Sequence, residues 1–367
     1  MIRWLCMVSR RSFLLSLAAS GVAGAQQRGR IFPSNKSVYL DPATEFPVVR
    51  LTEPAYSSFL PVSCGRSGFR KRNSMLFWSD RDGSPQAFRM DLKSGEWEQL
   101  TDARDLRGST LALLPDERSI CYFDGDSLRQ SSLSSFRGRE VYRVPVGWKP
   151  ASRLSVAGDG VHAAFVEARD EAYRLRLVGI ARGDAVTVVE ANERLGDPIP
   201  RPGRAGLLYR RGEGGLWLVN YDGAQDRPLR IAPGSAGPAV WSADGRTVLY
   251  LNYPEDRKQL NSIREHTPDA NADSLVAPTS QFVQFNPNGD DSVFVGASGS
   301  KASPYVLIVL RMTRRELTLC EHRTSDPSLA APVFSADSQW IFFQSDRHGR
   351  PAIYSMQVDK LVEKTET

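Results

Sequence analysis

Histidine and cysteine are scarce in this chain, with four of each among 367 residues. His162, His266, His322 and His348 are scattered, and no two share the spacing that metal ligands need on one element. Cys6 falls in the first 25 residues, which leaves Cys64, Cys121 and Cys320. That odd set has no C-x-x-C pair, so a cysteine-rich zinc site is excluded and one disulfide is the most that can form. The G-x-S-x-G elbow, H-E-x-x-H and the phosphate-binding P-loop are all missing. Beyond residue 25 no apolar run is long enough to span a bilayer, and no long run carries a helical period. Strong charge is lacking too. The formal net charge is +5, but three arginines and no acid lie in residues 1–25, so the remainder is only +2. Neither a nucleic-acid partner nor a membrane anchor is expected from such a chain.

The N-terminus does carry a signal. Arg3, Arg10 and Arg11 precede a short apolar run from Phe13 to Ala25 that ends in Ala23-Gly24-Ala25. This pattern reads as a cleavable export signal over residues 1–25, and "SRRSFLLSL" resembles its twin-arginine form. A periplasmic or secreted location is therefore expected.

A turn signature then recurs along the chain: an apolar pair, small residues, Asp or Asn, often Gly, and a second apolar run. It is clearest around Asp116, Asp159, Asp244, Asn288 and Asp337, and weaker near Arg70 and Gly203. The anchors lie roughly 41 to 49 residues apart. Seven units of that length match the four-stranded blades of a β-propeller, so an all-β, seven-bladed ring is expected over residues 38–362. The last unit lacks an outer strand, and "FPVVRLTEP" (46–54) resembles the outer strand of the first unit. The ring is therefore expected to close through an N-terminal strand, which hides the sheet edges. The alternative of two smaller β domains finds no Pro/Gly/Ser linker between repeats. Near-copies "SDRDG" (79–83) and "SDRHG" (345–349) read as equivalent loops of the first and last units, with His348 a loop residue.

Propeller ligands enter where the inner strands begin. The stretches there are mostly small or apolar, with Ser109, Asp197, Ser280, Gln281 and Gln284 as the polar exceptions. That composition suits a binding surface better than an acid–base site. Asp197, Trp241, Ser280, Gln281 and Gln284 are the expected ligand contacts.

Several segments, in order along nearly the whole chain after residue 25, resemble the oligogalacturonate lyases. They are "VVRLTEP" (48–54), "DLKSGEWEQLT" (91–101), "VYRVPVGW" (141–148), "LGDPIPRP" (195–202), "LWLVNYDG" (216–223) and "SDRHGRPAIY" (345–354). The resemblance implies a seven-bladed fold and pectin-fragment chemistry. In that chemistry a base removes the C5 proton of a uronate while a manganese-type ion, held by histidines and a glutamine, neutralises the carboxylate. The positions matching those groups are altered here. Pro238 stands at the implied base, Gln281, Leu329 and Ala331 at implied metal histidines, Asp197 in the "LGHPI" histidine position, and Gly215 at an arginine. Two readings follow. The first is a propeller that binds acidic oligosaccharides with no metal cofactor and without the family's β-elimination. The second is an active lyase with relocated chemistry, for which Arg201, Arg210 and Tyr253 are the candidates. A TolB-like interaction propeller, which shares the "SDRDG" loop style, is a further alternative.

Overall fold

A computed structural model describes residues 28–61, 73–256 and 258–358. The expected export signal, Cys64 and the turn expected near Arg70 lie outside the described residues. Seven antiparallel sheets follow one another along the chain, each of four or five strands. Inner strands of neighbouring sheets touch, and the last sheet touches the first, so the sheets form a closed seven-bladed ring. Helical structure among the described residues amounts to two single 3-10 turns, Gly108–Thr110 and Pro327–Ala330.

In four of the units the recurring aspartate shapes the turn between the first two strands. Asp116, Asp159, Asp244 and Asp337 each accept a hydrogen bond from the backbone N–H two residues on, at 2.8–3.1 Å. A short carboxylate that bonds its own turn favours this reversal over continued strand. Gly245 follows with φ +68°, and a Cβ there would meet the Pro202 carbonyl at 2.3 Å. Only glycine fits that crossing between the fourth and fifth blades.

Side chains on the central strands alternate between two neighbours. Met75 and Phe77 on Ser74–Ser79 pack toward the seventh blade, and Leu76 between them packs toward the second. Leu207 and Tyr209 face the third blade, while Leu208 faces the fifth. Both faces are buried, so these strands read as continuous apolar runs such as "SMLFWS". Among the described residues the core divides into seven clusters, one at each junction between blades. Cys121 and Cys320 are buried free thiols in different clusters, so they form no disulfide with each other.

The N-terminal segment closes the ring. Pro47–Arg50 pairs with Ala352–Gln357 as the outer strand of the seventh blade, and Ser37–Leu40 adds a fifth strand beyond it. Further upstream, Ile31–Phe32 joins the first blade alongside Trp97–Gln99. One segment therefore fastens both sides of the seam. The "SDR" repeats hold it there. Arg81 lies over the rings of Phe32, Tyr56 and Trp97 at 4.7–5.2 Å. Arg347 stacks over Tyr39 and donates to its hydroxyl at 2.8 Å. His348, exposed at the loop, bonds the Tyr354 hydroxyl at 2.8 Å. The repeated loop carries geometry in these contacts.

Candidate functional site

Inner strands of the fourth, fifth and sixth blades are longer than the others and irregular. Leu195–Pro200, Ser235–Trp241 and Phe282–Pro287 each break register with the next strand, at Gly196/Ile199, Ala236/Ala239 and Phe282/Gln284. Such bulges re-aim side chains. Here they surround a central cavity of about 330 Å³, which also takes walls from the first, third and seventh blades. Its size is that of a small-ligand pocket.

Among the described residues, three charged side chains line it: Arg153, Asp197 and Arg210. Asp197 sits on the bulge of the fourth blade with φ +45°, a left-handed conformation that Asp tolerates better than most residues. Its carboxylate lies between two cations, 3.4 Å from Arg153 Nε and 3.6 Å from Arg210 Nε. The two arginines differ. Arg210 is largely buried, and its terminal nitrogens donate to the carbonyls of Gly214 at 2.9 Å, Ala236 at 3.0 Å and Gly237. Burial pulls its pKa down, while the charge of Asp197 works against that shift. Arg153 is 46% exposed, and among the described residues its only polar side-chain contact is the ion pair with Asp197.

The amides of the cavity are mostly committed to neighbouring blades. Gln344 accepts from Leu60 N and donates to the Leu329 carbonyl, both at 2.7 Å. Asn286 donates to the Pro332 carbonyl at 2.9 Å. Gln284 lines the cavity with no side-chain hydrogen bond among the described residues.

Of the residues expected from sequence, Asp197, Arg210 and Gln284 meet in this cavity. Tyr253 lies beside it, under Gly237, with its hydroxyl donating to the Val283 carbonyl at 3.2 Å and burial raising its pKa. Arg201 and Trp241 lie elsewhere. Buried Arg201 donates to the Gly245 carbonyl at 2.7 Å, bonds Asp269, and stacks on Trp241, whose Nε1 donates to Ile199 O. Arg201 lines a separate groove with Arg204 and Asp269. Ser280 is tied to Glu316 through its N–H and hydroxyl, and Gln281 is exposed. Neither lines the cavity. Pro238 and Ala331, at positions the resemblance gives to histidines, do line it, whereas Gln281, Leu329 and Gly215 do not. All four histidines lie away from it: His266 and His322 are fully buried, His162 contacts Tyr221 and His348 contacts Tyr354. Among the described residues no group of three His, Cys, Asp or Glu could hold a metal ion. Arg153 was not reached from sequence, because it precedes an inner strand of only two residues, Ser155–Val156.

The sequence is 25% identical to the oligogalacturonide lyase of Pectobacterium atrosepticum over 90% of this chain and 98% of the relative. It is 24% identical to the oligogalacturonate lyase of Dickeya dadantii over the same shares. These two relatives, matched over nearly their whole length, support placing the chain with the oligogalacturonate lyases. No protein-family model matches it. An oligogalacturonate lyase solved in complex with manganese superposes with a TM-score of 0.84 at 24% identity, over 90% of this chain and 98% of that one. The oligogalacturonate lyase of Vibrio parahaemolyticus gives the same TM-score at 22% identity, over 92% and 100%. The propeller fold is thus shared over about nine-tenths of this chain.

Proposed function

We propose that this propeller binds acidic oligosaccharides of the pectin-fragment type in its central cavity, without the family's metal-dependent β-elimination. The charge balance of the cavity carries this reading: two guanidiniums face one carboxylate, which leaves a net positive wall for an anionic sugar. The family resemblance supplies the ligand class.

The cavity's donor set does not fit a manganese-type ion. Its one carboxylate is shared by two arginines, and two of its three amides are bound to neighbouring blades. A borderline cation needs imidazole or free carboxylate donors, which this wall does not offer. A base is equally hard to supply. The Tyr253 hydroxyl donates to a carbonyl and burial raises its pKa, so it resists giving up a proton. Arg201 lies outside the cavity, and the Arg210 nitrogens carry their protons to carbonyl acceptors. Residues 1–25 would deliver the folded ring to the periplasm or beyond.

The test combines two measurements on the protein lacking its signal. Calorimetry with digalacturonate and trigalacturonate reads binding, and ultraviolet absorbance reads unsaturated product, each with and without manganese. Saturable binding without product is the expected result. Product formed with or without the ion would establish lyase activity and overturn the reading. Absence of both binding and product would overturn it as well and favour the interaction-propeller alternative.

A further inference from the structure

We propose that Arg153 is the carboxylate anchor of the central cavity and that Asp197 is a built-in competitor for it, displaced when a ligand carboxylate arrives. This deepens the acidic-oligosaccharide reading and rests on it for the choice of sugar. The geometry separates the two arginines. Arg210 joins the fourth blade to the fifth through three carbonyls, so its donors are already oriented along the wall. Arg153 reaches the cavity half exposed, and its Nη atoms have no hydrogen-bond partner among the described residues. A guanidinium holds a carboxylate best through two parallel N–H donors, and among the described residues nothing bonds that pair on Arg153.

Asp197 already places a carboxylate beside Arg153, but it does so weakly. Its recorded contact is with Nε, at 3.4 Å, and it shares itself with Arg210 at 3.6 Å. Both separations exceed a good charge-assisted hydrogen bond. A mobile carboxylate entering the cavity can engage the free Nη pair more closely than the pinned bulge residue can. Gln284, whose amide is also free among the described residues, lies on the sixth blade and suits a sugar hydroxyl. The anchor and the amide together describe a uronate.

Three ligands and two variants decide this. Binding of D-galacturonate, D-galactose and acetate is measured by calorimetry and by the side-chain NMR signal of Arg153. Arg153→Ala should weaken galacturonate about tenfold or more while galactose binding stays unchanged. Asp197→Asn, which suits the same left-handed backbone, should strengthen galacturonate binding by about tenfold, because the competing charge is gone. Acetate should move the Arg153 signal in the parent protein. If galacturonate binds Arg153→Ala as well as the parent, or if Asp197→Asn binds it no more tightly, the proposal fails while the acidic-sugar reading survives. If acetate shifts Arg153 but galacturonate binds no better than acetate, the anchor stands and the sugar reading fails. If neither acetate nor galacturonate reaches Arg153, the anchor itself is overturned. Thermal unfolding of each variant confirms that the ring remains intact.

Discussion

Arg210 shows how a cation in a cavity can serve the scaffold. Its guanidinium ties the fourth blade to backbone carbonyls of the fifth. Removing it leaves those carbonyls without donors in a largely enclosed wall. Arg210→Ala should therefore lower stability by about 2–4 kcal/mol in urea unfolding, and Arg210→Lys should recover little, because a point charge cannot reach three carbonyls. Gly237 sets a steric limit nearby. A Cβ there would stand 2.6 Å from the Tyr253 ring, so Gly237→Ala should cost about 1–3 kcal/mol by the same measurement and shift the tyrosine from Val283. Three of the cavity residues were legible in the sequence, since Asp197, Arg210 and Gln284 sit on the long inner strands of the fourth and sixth blades or next to them. Arg153 was not singled out, although "SRLSVA" reads as a stretch where an inner strand begins, because a strand of two residues does not show which neighbouring side chain faces the cavity. Trp241 and Arg201 illustrate a related limit. Sequence places them on the right strands, but which end of an inner strand borders the cavity is decided by the ring.

At the scale of the strand, His266 is the anomaly. It lies on Ser262–Thr267, fully buried between Val248 and Asp273, and neither ring nitrogen has a partner among the described residues. Burial holds its pKa below the usual 6.5, and burial does the same for His322 and, with help from the charges of Arg347 and Arg50, for His348. The folded ring thus binds fewer protons than the unfolded chain just below pH 6.5. Stability from these groups is fully present above that value and is lost as pH falls through their folded values. The unfolding midpoint should be higher at pH 8 than at pH 5.5, and His266→Phe should flatten the difference without lowering the midpoint at pH 8. The strands themselves were readable because apolar runs alternate with Asp-based turns. Ile31–Phe32 was missed for the opposite reason: two residues have no period, and only the first blade's open edge gives them a role.

For the molecule as a whole, stability turns on one seam. Tyr39 meets Arg347, His348 and Tyr354 there, and its hydroxyl accepts from Arg347. Tyr39→Ala should destabilise the ring by about 3 kcal/mol and should speed unfolding measurably, because it loosens the strand that covers the closing strand Pro47–Arg50. Deleting residues 28–50 should have a larger effect: the outer strand of the seventh blade and the extra strand of the first are both lost, and urea unfolding should become broad and uncooperative. Manganese should leave the melting temperature of the intact protein unchanged, since an ion that finds no site gives no linkage to folding.

The seam also fixes an order of events in the cell. Residues near 50 leave the ribosome long before their partners near 354. Six blades can be finished while the earliest strand still waits, with its hydrogen-bonding edge unmet. Any message cut short before the seventh blade yields an arc whose two raw ends invite pairing with other chains. Closure of this ring accordingly waits on its final strand.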